Sequence, residues 1–112
     1  MPPTIKNINN EHALQLDEIV RRIVQTAQPG KIILFGSAAR GETHPNSDFD
    51  ILVIKACPNR RYLAGVIYRH LIGIGLPVDI IVATPEDVKQ YGTNPTLILE
   101  PALREGIILY AA

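Results

Sequence analysis

The sequence predicts a small α/β domain, and three observations carry that expectation. Short apolar runs at Lys31 to Phe35, Asp48 to Lys55, Val78 to Ala83 and Ile107 to Tyr110 alternate with stretches of helical periodicity. The 112 residues are 46% hydrophobic and 20% charged, an ordinary globular composition that excludes disordered and fibrous architectures. No repeat, linker or low-complexity tract divides the chain, so residues 1–112 read as one domain. A chain of this size buries about 65% of its unfolded surface, enough for a core without staples.

The elements follow in order. Asn9 or Asn10 can cap a first helix that runs to about Gln28, with Leu14, Leu16, Ile19, Val20, Ile23 and Val24 at helical spacing. Pro29-Gly30 ends it. Lys31 to Phe35 reads as a buried strand, and Gly36 to Gly41 as a tight, glycine-bounded turn. Glu42 to Ser47 contains Pro45-Asn46 and reads as a loop. Asp48 to Lys55 is a second strand, apolar on both faces past Asp50 and therefore expected at the centre of a sheet. Asn59 opens a helix through Leu63, Val66, Ile67 and Leu71, with Gly73 and Gly75 as candidate C-caps and Pro77 as a stop. Val78 to Ala83 is the third strand. Thr84-Pro85-Glu86-Asp87 is a helix start, with Thr84 as N-cap and Pro85 in the first position. That helix ends near Tyr91. A last helix runs from Pro95 or Thr96 to Glu105, with a disturbance expected at Pro101. Gly106 caps it and Ile107 to Tyr110 closes the chain as a strand.

Charge and cysteine content narrow the function classes. Eleven basic and eleven acidic residues leave no net charge, which argues against direct nucleic-acid binding driven by electrostatics. The single cysteine, Cys57, allows no internal disulfide and fits a reducing compartment. Residues 1–10 lack the apolar region of a signal peptide, and no apolar run approaches a membrane span. A cytoplasmic protein is the expectation.

The informative stretch is Gly36-Ser37-Ala38-Ala39-Arg40-Gly41, followed six residues later by Asp48-Phe49-Asp50. Residues two apart on a strand face the same way, about 6.5–7 Å apart. Asp48 and Asp50 are thus two like charges at the mouth of an apolar strand, where unpaired carboxylates are costly. A divalent cation is the simplest partner, and all-oxygen ligands suit Mg²⁺ or Mn²⁺ better than zinc. Asp79 stands in another apolar strand, Val78 to Ala83. If the two strands are neighbours, about 4.8 Å apart, Asp79 joins the cluster. Three such acids can hold two metals, or one metal and a base, the equipment of in-line phosphoryl or nucleotidyl transfer.

The turn before them is suited to an anion. Gly36 leaves a buried strand and Ser37 opens a helical turn whose N–H groups can point at a phosphate. No Gly-Lys-Ser/Thr follows, so this is not a P-loop, and no Gly-x-Gly is present for a dinucleotide fingerprint.

Gly36-Ser37, Arg40-Gly41, Ser47-Asp48-x-Asp50 and Asp79 together resemble the minimal nucleotidyltransferase domains of the DNA polymerase beta-like superfamily. Thr84-Pro85-Glu86-Asp87 and the stretch from Ala102 through Gly106 to Tyr110 extend the resemblance over nearly the whole chain. It implies a mixed β-sheet flanked by helices. It implies Asp48 and Asp50 as ligands of Mg²⁺, two ions in all, and Asp79 as a third ligand or general base. Gly36, Ser37, Arg40 and Ser47 would bind a nucleoside triphosphate, with ATP as substrate. Domains similar to this one are often antitoxins paired with helical HEPN ribonuclease toxins, and some transfer AMP to a toxin tyrosine. Superfamily members that modify antibiotics carry a further helical domain that grips the acceptor, which this sequence lacks.

Plainer readings stand beside these. Ser37 can be a helix cap, Arg40 can anchor Asp48 or a helix end, and Ser47 can merely shape its loop. His12 reads as solvated, His70 as a favourable charge at a helix end, and His44 as a loop residue beside the site. Cys57 reads as inert, Arg60-Arg61 as a solvated face or a patch for an acidic partner, and the tyrosines as core or interface. Three functions follow: nucleotidyl transfer to a HEPN toxin, neutralisation of that toxin by occlusion without catalysis, and transfer to a small molecule.

Overall fold

The computed structural model describes residues 10–41, 48–94 and 97–112. Helix α1 spans Asn10–Ala27, strand β1 Lys31–Phe35, β2 Phe49–Ile54 and α2 Arg60–His70. Strand β3 spans Val78–Ala83, α3 Pro85–Tyr91, α4 Leu99–Glu105 and β4 Ile107–Ala111. Among the described residues the strands form one sheet in the order β3-β2-β1-β4. β1 runs antiparallel to β2 and to β4, while β2 and β3 are parallel. The sheet is therefore mixed, as the resemblance implied, and β2 is an inner strand, as its apolar faces required.

Each sheet face has its own core. On one side Leu16, Ile19 and Ile23 of α1 and Ile67 of α2 pack on Ile32, Leu34, Phe49, Ile51, Val53, Ile80 and Val82. On the other, Leu99 and Ala102 of α4 pack on Ile33, Phe35, Leu52 and Ala83. The alternation within each strand thus divides an all-apolar run between two layers. The first layer is by far the larger. Arg22 ties it together: its Nη1 donates to the carbonyls of His70 (3.3 Å) and Ile72 (3.1 Å), the open end of α2.

Four details depart from expectation. Helix α2 stops at His70 with Leu71 as its cap, ahead of the glycines. Gly73 and Gly75, at φ +86° and +82°, shape the turns beyond it. Helix α4 begins at Leu99; the expected start at Pro95 or Thr96 lies outside the described residues, as does Asn9. Pro101 causes no disturbance, because it is the third residue of α4 and first-turn N–H groups need no helical partner. His12 is not solvated: its ring meets Phe49 edge-on at 5.1 Å, and its Nδ1 is buried with no hydrogen-bond partner among the described residues.

The start of α3 forms as read. Thr84 accepts from the Asp87 N–H (3.1 Å), and the Asp87 carboxylate accepts from the Thr84 N–H (2.9 Å), a reciprocal capping box. The same carboxylate pairs with Arg60, and these contacts hold the Asp87 carboxyl below its ordinary range, Arg60 contributing most. Thr84→Ala removes one half of the box and is expected to cost about 1 kcal/mol in urea unfolding. An unchanged midpoint would mean that α3 is held by its packing alone.

Candidate active site

The site lies on the α4 face of the sheet, where β1 ends and β2 and β3 begin. β1 gives way at once to Gly36, whose φ of +75° lies in the left-handed region that favours glycine. Three successive bonds then wind the turn: Ala39 N–H to the Gly36 carbonyl (3.2 Å), Arg40 to Ser37 (3.1 Å) and Gly41 to Ala38 (3.2 Å). The N–H groups at the start of such a turn have no acceptor within it. Ser37 adds its hydroxyl there. A Cβ on residue 36 would collide with Oδ2 of Asp50. The missing side chain is what lets the carboxylate rest against the turn.

Asp50 is central in a second sense. It stands opposite Phe35 on β1 and opposite Asp79 on β3. Partners in register share a sheet face, so Asp50 and Asp79 lie side by side on adjoining strands. Asp48, exposed and just before β2, faces the same way by the period of two. Burial raises the Asp50 pKa most, followed by the charges of Asp79 and Asp48.

The residues near Asp50 wall a cavity of about 280 Å³, lined by Phe35, Gly36, Arg40 and Asp50 on one side and by Ile98, Pro101, Ala102 and Glu105 of the α4 segment on the other. Arg40 at its rim faces Glu105 at 3.8 Å. Ser37 belongs to the same turn but not to the cavity wall. Ser47 and His44 lie outside the described residues.

Two features were not foreseen. Tyr68 reaches from α2 over the sheet edge, and its hydroxyl donates to Asp79 Oδ1 (3.1 Å) while accepting the Ile80 N–H (2.7 Å). The hydroxyl proton is thereby directed to the carboxylate, which fixes one Asp79 oxygen. Only the packing of α2 on β3 brings these residues together, so no local pattern could announce it. Glu105 as the partner of Arg40 likewise depends on the docking of α4 beside β1.

The donor set is all oxygen, which suits Mg²⁺ or Mn²⁺. The acids form an open frame, not a closed cage. Among the described residues no three Asp, Glu, His or Cys side chains are gathered closely enough to surround an ion.

Comparison with known proteins places this geometry. The sequence model of the nucleotidyltransferase domain matches residues 15–108. This chain belongs to the nucleotidyltransferase domain family. The match spans the turn, all three acids and both sheet cores. A candidate protein adenylyltransferase of Methanocaldococcus jannaschii is 33% identical over 90 residues, covering 73% of this chain and 61% of that protein. The chain thus spans less than two thirds of that relative's length. A toxin–antitoxin complex crystallised with AMP-PNP superposes with a TM-score of 0.65 at 20% identity, covering 86% of this chain and 73% of the other. A candidate minimal nucleotidyltransferase superposes at 0.59 with 25% identity, covering 86% and 89%. The likeness to the toxin–antitoxin complex is one of fold. Among the described residues no helix of this member of the family is long and apolar enough to cross a membrane.

Two substitutions probe the site. A raised Asp50 pKa means that the folded state holds the proton more tightly than the unfolded chain, so stability falls as pH rises through that range. Asp50→Asn is therefore expected to stabilise the metal-free protein at neutral pH. The gain should vanish as pH drops below the ordinary carboxyl value of 3.8. Denaturant unfolding across pH measures it, and a variant less stable at pH 7 would contradict the assignment. Gly36→Ala is expected to lose about 1–2 kcal/mol from the left-handed backbone alone, and more from displacing Asp50.

Proposed function

We propose that this chain is a metal-dependent nucleotidyltransferase that moves AMP from ATP to a tyrosine hydroxyl of a HEPN-type toxin. The observation that carries the reading is the placement of Asp50, which is coupled to Asp79 and Asp48 and rests against the Gly36 turn. Gly36 of the turn and Asp50 of the acid group wall one small cavity, with Asp79 in register beside Asp50. The fold shared with a toxin–antitoxin complex and the name of the archaeal relative support the acceptor class.

Asp48 and Asp50 would hold Mg²⁺, with Asp79 as a third ligand or as a base. The ion, when bound, neutralises phosphate charge near the reacting phosphorus. The residues of the chain do the rest. The N–H groups of the Ser37 turn and the Ser37 hydroxyl hold triphosphate oxygens, Arg40 adds contacts at the rim, and Ser47 is a further nucleotide-binding residue. The acceptor oxygen attacks the α-phosphorus and the bond to the pyrophosphate oxygen breaks. Pyrophosphate leaves, and the acceptor proton passes to Asp79. The hydroxyl of Tyr68 keeps one Asp79 oxygen occupied, so the other faces Asp50 and the substrate.

A second reading has one observation in its favour. Asp79 is engaged by Tyr68 and the frame is open, as suits a binding module that neutralises a toxin by covering it. The intact mass of the co-purified partner separates the two. The chain is expressed with its chromosomal neighbours, as wild type and as Asp48→Asn/Asp50→Asn. A partner heavier by whole AMP units with wild type alone is the expected result. An unmodified partner, bound equally by both, would replace transfer with occlusion.

A further inference from the structure

Strand β3 is an edge of the sheet, and among the described residues no further strand pairs with its outer side. The carbonyls of Pro77 and Ala83 turn inward, to the N–H groups of Phe49 (2.8 Å) and Lys55 (2.9 Å). The N–H of Ile80 turns outward, to Tyr68. By the alternation of a strand, Val82 presents its N–H and carbonyl outward as well. Among the described residues nothing accepts or donates to them. Exposed edges are usually blunted by lysine, proline or a bulge. Val78–Ala83 contains none of these, whereas the β1–β4 ladder is broken by a register shift between Ile32 and Ile33.

A groove of about 820 Å³ runs along this edge. Its floor is Ile80 to Val82 and its wall is the start of α2, with Arg60, Arg61 and Ala64. The first turn of α2 holds no acidic residue. Arg60 is paired with Asp87, but Arg61 is exposed and makes no ion pair among the described residues. Its charge adds to the positive end of the helix dipole, a combination that costs stability unless something negative lies there. One turn beyond Ala64, Tyr68 reaches Asp79 and the Ile80 N–H. Val82 is three residues from Asp79, about 10 Å along the strand.

We propose that the open edge of β3 takes an extended, acidic segment of the acceptor protein by strand addition, which delivers its hydroxyl side chain to Asp79. The proposal rests on the nucleotidyltransferase reading for the fate of that hydroxyl, but not for the docking. The segment hydrogen-bonds to Val82 and to the Ile80 carbonyl, and sets acidic side chains against Arg61 about three residues from the reacting hydroxyl.

Two ten-residue peptides of valine and threonine serve as probes. Each carries one tyrosine, with either two glutamates or two lysines three residues away. Fluorescence anisotropy is expected to show the glutamate peptide binding at least tenfold more tightly, with slowed hydrogen exchange at the Val82 amide. Val82→Pro removes the outward N–H, along with part of a core side chain, and should weaken binding about tenfold. Arg61→Glu should reverse the charge preference, and it serves alone if the proline variant does not fold. Both variants should bind ATP as wild type does. Equal affinity for the two peptides, or an Arg61→Glu variant that keeps the wild-type preference, overturns the proposal. So does a wild-type dimer that Val82→Pro turns into a monomer, since the edge would then belong to a second copy. Tight binding of the glutamate peptide without transfer of AMP would leave the docking edge standing and remove the catalytic reading.

Discussion

The carboxylate of Asp50 occupies the space that a side chain at residue 36 would need. Much of the site depends on that close approach. It requires glycine where β1 ends, and the positive φ of Gly36 then starts the turn that carries Ser37 and Arg40. It also holds Asp50 down on the sheet, between Phe35 and Asp79. The Gly36 turn and strand β2 thus meet where the Asp50 carboxylate lies against the backbone of residue 36.

The cost of this arrangement is electrostatic, and its support is hydrophobic. Three acids at one end of a sheet face disfavour the folded state when no cation is present. The opposite face offsets them. There α1 and α2 bury Leu16, Ile19, Ile23 and Ile67 completely against the strands. The larger layer holds the sheet whatever the protonation of the acids on the other side. Tyr68 is the exception to that separation, since it is rooted in α2 and touches Asp79.

Local signals in the sequence were accurate. The runs Lys31–Phe35 and Val78–Ala83 are strands with those same limits, and Thr84 and Asp87 cap α3 as their spacing required. Each reflects chemistry within a few residues. An acid in an apolar strand hints that Asp79 joins Asp50 if their strands are neighbours; that β2 and β3 pair, and pair in parallel, is visible only in the fold. What the sequence concealed arises between distant segments. His12 against Phe49, Tyr68 on Asp79 and Arg40 opposite Glu105 each depend on how a helix docks. Pro101 misleads for another reason: its effect depends on its place in the helix, and it stands in the first turn of α4.

The sheet's site face is covered by a seven-residue helix, and only in part. A domain so thinly roofed leaves room for its ligand to serve as building material. A nucleotide lying there would complete the second layer, and folding and occupancy would then be coupled by mass action. The same asymmetry divides the evolutionary freedom of the chain. Substitutions in α1 and α2 disturb the foundation that every function needs. Changes in the short α3–α4 segment, or along the outer rim of β3, can retune what is recognised while the fold persists. A lineage can therefore change targets by altering those segments alone, without relearning how to fold.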